Sequence, residues 1–193
     1  MKTVAKTIGK AVVFCLVMMV LCSLIYPLAL AGVSQLTMEA KADGSKVDEE
    51  GNLTTDTKKA VGSALIGQDF TEDCYFQGRV SSVNYNTYTE EQKENGEYAG
   101  VASGSYNYGN SNPDLEKRMA ELLTASGSGL DPHISPRSAE VQIPTVAENS
   151  GLSEEVVEQI VKDNTEHKTL GVFGEERVNV LGCNLDIKAA MEQ

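Results

Sequence analysis

The stretch Leu123-Thr-Ala-Ser-Gly-Ser-Gly-Leu-Asp-Pro-His-Ile-Ser-Pro136 holds two glycines, two prolines, three serines and one of the chain's two histidines in 14 residues. No other stretch of the 193 residues is so dense in groups that fix backbone shape. Gly127 and Gly129 permit a positive φ or the close approach of a second backbone. Asp131-Pro132 reads as a turn, because the residue before proline is driven out of the α region and an Asp side chain can cap the turn. Ser135-Pro136 reads as a helix start, with Ser at the N-cap and Pro in the first turn. The stretch is therefore a shaped loop that feeds a helix.

Downstream, Ala139, Val141, Ile143, Val146 and Ala147 give that helix an apolar face, with Pro144 expected to break or kink it and Gly151 to end it. Ser153 caps a second helix whose Val156, Val157, Ile160 and Val161 oppose Glu154, Glu155 and Glu158. Thr169–Phe173 and Arg177–Leu181 flank Gly174-Glu-Glu176 and read as a terminal hairpin, with a short helix after it. Upstream, Asn112-Pro113 opens a helix carrying Leu115, Met119, Leu122 and Leu123. Residues 81–112 are rich in Ser, Asn, Gly and Tyr and show no period, so they read as a long polar loop. Its tyrosines (85, 88, 98, 106 and 108) serve either to order the loop or to anchor a protein contact. Val61–Phe70 is a short strand or tight turn, and residues 38–60 are a polar connection or hairpin.

Ala11 to Val33 is a charge-free run of 23 residues. As a helix it reaches ~35 Å, against a hydrocarbon core of about 30 Å. Lys2, Lys6 and Lys10 precede it, which predicts a cytoplasmic N-terminus. A cleaved signal peptide is the competing reading, since Ala29-Leu-Ala31 before Gly32 fits a cleavage site. Either way residues 34–193 lie outside the cytoplasm. Beyond the run, 13 basic and 28 acidic residues leave a net charge of −15. That surface repels phosphate and excludes nucleic-acid binding.

Four ordered segments carry a family resemblance: Tyr26-Pro27-Leu28, then Val61–Gln68 with Tyr75-Phe-Gln-Gly-Arg79, then Thr124–Pro136, then Gly174–Leu181. Together they resemble the C subunit of the Kdp-type potassium-transporting P-type ATPase. The chain departs from that pattern in passing from Glu116–Leu123 straight into the signature, without the longer helix and linker. The resemblance favours a retained membrane anchor. It implies residues 1–10 as a cytoplasmic tail, 11–33 as a transmembrane helix and 34–193 as one extracytoplasmic α+β domain with short strands, short helices and a terminal hairpin. It also implies a non-catalytic subunit that stabilises the complex and modulates its affinity for ATP. Its partners would be an ion-conducting A subunit, an ATP-hydrolysing B subunit, a small F subunit and membrane lipid. ATP, magnesium and potassium would be used by those partners, with no cofactor on this chain. The implied docking loop is Gly127, Ser128, Gly129, Leu130, Asp131, Pro132 and His133, and Tyr26 and Pro27 form a membrane-helix contact.

The sequence lacks the Asp-Lys-Thr-Gly-Thr setting of a phosphorylated pump aspartate and the Gly-rich loop that cradles phosphate. Ser128, His133 and Asp131 could form a hydrolytic triad only by geometry that sequence does not show. Two distant histidines and no C-x-x-C pair make metal binding a poor reading. His133 is expected instead to hold the loop through hydrogen bonds. Cys74 and Cys183 could pair outside the cytoplasm, but two free, buried thiols fit as well.

Overall fold

A computed structural model describes residues 2–96, 100–106, 113 and 125–192. Apart from Pro113, the helix expected from Asn112-Pro113 through Leu115, Met119, Leu122 and Leu123 falls outside the described residues, as do Tyr98 and Tyr108. The chain divides into two compact units, Met1–Ser45 and Lys46–Gln193.

The first unit is helical. Helix α1 (Lys2–Val20) runs through a π turn at Leu21–Ile25 into α2 (Tyr26–Thr37). The helical stretch Lys6–Thr37 is long and apolar enough to cross a membrane. Its side chains are exposed almost throughout. Pro27 follows directly on the π turn: its ring crowds the Ser23 carbonyl one turn back, and the Tyr26 N–H donates to the Leu21 carbonyl. A short α3 (Glu39–Ala42) follows.

The second unit is α+β. Strand β1 (Lys46–Val47) pairs antiparallel with β2 (Gly62–Ser63). A three-stranded antiparallel sheet joins β3 (His133–Ile134), β4 (Thr165–Glu166) and β5 (Arg177–Asn179), with β5 central. Three helices pack with it: α5 (Pro136–Ser150), α6 (Glu154–Asp163) and α7 (Val180–Met191). A capped α4 (Glu90–Glu94) lies in the polar segment.

Local chemistry sets the helix ends. The Ser135 hydroxyl accepts from the Ser138 N–H and the Ser153 hydroxyl from the Val156 N–H. Gly151 closes α5 at φ +75°. Ala139, Ile143, Val146 and Ala147 of α5 meet Val157 and Val161 of α6, Val178 of β5, and Cys183 and Ile187 of α7 in one buried core. Burial raises the Cys183 thiol pKa to about 12. Cys183 and Cys74 are both free, and Cys74 is only partly buried.

Several expectations are corrected. Pro144 leaves α5 unbroken. Both Pro144 and Glu140, whose carbonyl loses its donor, face solvent, where water can take that bond. The terminal hairpin pairs Thr165–Glu166 with Arg177–Asn179, while Thr169 and Phe173 form only a bridge in the connecting loop. Val180 and Leu181 are helical because the Asn179 side chain caps α7 through the Gly182 N–H. Val141 is exposed and lies off the buried face of α5. Within the polar loop, Thr89 and Gln92 form a capping box that starts α4.

Candidate docking site

The glycine-rich stretch is fixed by the chain on every side. Val80 and Ala125 form a parallel bridge, and the Ser126 N–H donates to the Val80 carbonyl at 2.9 Å. Ser126 is fully buried, and its hydroxyl accepts from the Asp131 N–H at 3.2 Å. Arg79 secures both ends of the loop: one guanidinium nitrogen donates to Asp131 Oδ2 at 2.7 Å and the other to the Ala125 carbonyl at 2.8 Å. Asp131 Oδ1 accepts from the His133 N–H at 3.0 Å, so both carboxylate oxygens are engaged. Charge-assisted bonds of this kind are the stronger class.

Ser81 forms a second node. Its hydroxyl donates to the Gly129 carbonyl at 2.6 Å and accepts from the N–H groups of Val83 and Tyr85. One donor and two lone pairs are thereby fully used. Asn84, Tyr85 and Asn86 all sit at positive φ. The costly member of that run is Tyr85, whose hydroxyl donates to the Arg79 carbonyl. Burial, with Asp131 and Asp69 nearby, raises its phenol pKa to about 12.

The named residues divide by environment. Gly127 and Ser128 are exposed, Leu130 is half-buried, and Gly129 and Pro132 are buried. Gly129 has φ +73°, and a Cβ there would lie 2.6 Å from Val83 Cγ2 and 2.9 Å from the Gly104 carbonyl oxygen. At Gly127 a Cβ would meet nothing within 4 Å. His133 is the first residue of strand β3, opposite Asn179, rather than part of a free loop. Its ring lies between two carboxylates, with Nδ1 3.5 Å from Asp131 Oδ1 and Nε2 3.5 Å from Glu166 Oε1. The buried Nε2 has no hydrogen-bond partner. What holds the loop at His133 is thus the backbone N–H. No hydrogen bond joins Ser128 to His133, and the Ser128 hydroxyl instead accepts from the Leu130 N–H. The structure does not join Ser128 and His133 as a nucleophile hydrogen-bonded to its base.

Distant segments converge on this loop. The Gly67 N–H donates to the Leu130 carbonyl, and the Val180 N–H to the Pro132 carbonyl. Phe76 is held by Asn184 of α7, whose side-chain amide accepts from its N–H at 2.7 Å and donates to its carbonyl at 3.0 Å. Gln142 of α5 does the same for Gln77, at 2.7 and 3.3 Å. Two side-chain amides thus act as strand partners for the segment that delivers Arg79. Sequence reasoning missed Ser81, Asn184 and Gln142. Their partners are distant in sequence, so no local spacing announces them.

The loop and the segments that grip it lie within the range matched by one family. The KdpC family (K+-transporting ATPase, c chain) matches residues 8–189. The chain belongs to the KdpC family. A Potassium-transporting ATPase KdpC subunit of Clostridium kluyveri is 50% identical, covering 97% of this chain and 95% of its own length. That of Clostridioides difficile strain 630 is 47% identical over 94% and 96%. That of Bacillus cereus strain G9842 is 41% identical over 90% and 91%. The KdpC match takes in both the apolar helix and the domain that carries the loop.

Proposed function

We propose that the chain is the single-span accessory subunit of a potassium-transporting ATPase complex and stabilises the assembly of its other chains. The observation that carries this reading is the family match over residues 8–189. Residues 1–10 face the cytoplasm, because Lys2, Lys6 and Lys10 all precede the apolar span. Residues 34–193 form the extracytoplasmic domain. The partners are an ion-conducting A subunit, an ATP-hydrolysing B subunit and a small F subunit, set in membrane lipid. ATP, magnesium and potassium are handled by those partners, and this chain performs no catalysis of its own.

The docking element is the loop Gly127–His133, with Tyr26 and Pro27 contributing a contact in the membrane. Hydrogen bonds to the Ser128 carbonyl and from the Leu130 N–H order the loop, and Gly127 and Ser128 remain exposed on that support. A support ordered before binding does not pay that ordering cost on association. Any effect on ATP affinity passes through the membrane helix as a coupling free energy, since the domain and the nucleotide lie on opposite sides.

The test is affinity purification of the tagged full-length chain from detergent-solubilised membranes after growth in scarce potassium. Two larger membrane proteins and a potassium-stimulated ATPase activity should accompany it. Recovery of the chain alone would overturn the reading.

A further inference from the structure

The π turn takes its regular α-helical donor away from a carbonyl at the centre of the apolar span. In an unbroken α-helix the Tyr26 N–H would close on the Cys22 carbonyl, but here it donates to Leu21. The next backbone nitrogen belongs to Pro27, which carries no hydrogen. The Ile25 N–H lies inside the widened turn, where donors reach back five residues. The Cys22 carbonyl is therefore without its α-type or its π-type donor. Ser23, one residue on, loses its α-type donor for the same reason.

Depth makes this costly. Cys22 is the middle residue of Ala11–Val33, about 16 Å of helix from either end. Acyl chains offer no donor, and headgroup water is remote. Each unsatisfied backbone group costs several kcal/mol in such a setting, so it is met from within protein. The turn also carries the Cys22 thiol and the Ser23 hydroxyl, and its Tyr26 boundary adds a phenol, beside aliphatic neighbours.

We propose that the widened turn Leu21–Ile25 is a helix-recognition site. The Cys22 carbonyl accepts a hydrogen bond from an N–H or O–H side chain on a membrane-spanning helix of a different chain. This rests on the reading of the protein as one subunit of the ATPase complex. Tyr26 lies one turn from Cys22 on the same face, which places it beside the incoming helix.

The experiment uses the full complex in native membranes, with p-benzoylphenylalanine in place of Tyr26 as a photo-crosslinker. Irradiation should yield an adduct with a membrane-spanning peptide of another chain that carries a Ser, Thr, Asn, Gln, Tyr, Trp, Lys or Arg side chain. Adducts to lipid alone, or to a second copy of this chain, would overturn the proposal. In parallel, Pro27→Ala supplies the missing N–H and lets the turn close as an α-helix. Retention of partner chains in detergent should then fall by about threefold to tenfold, the range of one interhelical hydrogen bond in a membrane. If the unsubstituted chain purifies alone, both the subunit reading and this proposal fail. If it retains its partners and Pro27→Ala retains them equally, only the hydrogen-bond proposal fails.

Discussion

Gly127 and Gly129 look alike in the sequence, yet the structure gives them opposite sensitivities to substitution. Gly129 has φ +73°, and an added Cβ would stand 2.6 Å from Val83 Cγ2, 2.9 Å from the Gly104 carbonyl oxygen and 3.3 Å from Ser81 Oγ. The left-handed backbone costs an L-residue about 1–2 kcal/mol. Pushing a methyl group against a neighbouring main chain costs about 1–3 kcal/mol more. Reduced freedom of the unfolded chain returns about 0.4–1 kcal/mol. Gly129→Ala should therefore destabilise the domain by about 1–4.5 kcal/mol, a fall in Tm of about 2–18 °C for a domain of this size. Gly127→Ala meets nothing within 4 Å and needs no positive φ, so its effect should stay within about 0.5 kcal/mol of neutral, as at an ordinary surface site. Thermal unfolding of the full chain in detergent, followed by near-ultraviolet circular dichroism of its tyrosines, compares the two. Equal Tm values for both variants, or a larger loss at Gly127, would refute the packing argument.

Asn184→Ala removes the amide that pairs with both backbone groups of buried Phe76, and chemical denaturation should record a loss of about 2–4 kcal/mol. Tyr85→Phe should flatten the alkaline limb of the stability–pH profile. The folded phenol titrates near 12 and the unfolded one near 10, so the unsubstituted protein keeps this contribution below about pH 10 and loses it as pH rises through about 12. Thermal scans of both proteins across that window should converge at its upper end. A cycle of Arg79→Ala and Asp131→Ala should give a coupling energy of about 0.5–1.5 kcal/mol, modest because both side chains are about one-third exposed.

Local signals made the helical half of the domain legible. Ser135 before Pro136, Gly151 and Ser153 fix the limits of α5 and α6 through bonds spanning three or four residues. The sheet is harder to read, because strands of two or three residues are too short for apolar alternation. The hairpin expectation therefore settled on the apolar Thr169–Phe173 segment, which forms the connecting loop rather than β4. Asn179 with Gly182 is a cap signal that separates β5 from α7, and Thr89 with Gln92 marks α4. Both are short-range signals, obscured by an apolar run in one case and a polar composition in the other. The loop itself stands out through its glycines and prolines. Gly67, Arg79 and Val180 lie in segments the family resemblance marks, but their grip on the loop, like that of Ser81, arises only in tertiary folding.

The most direct measurement is potassium-stimulated ATP hydrolysis by complexes purified through a tag on the hydrolytic subunit, from cells with and without this chain. With the chain present, the complex should purify intact and hydrolyse ATP in response to potassium. Without it, the partners should separate and the stimulation should vanish, and the purified chain alone should hydrolyse nothing. Full stimulation in complexes lacking the chain, or hydrolysis by the chain alone, would contradict its role as a non-catalytic assembly subunit.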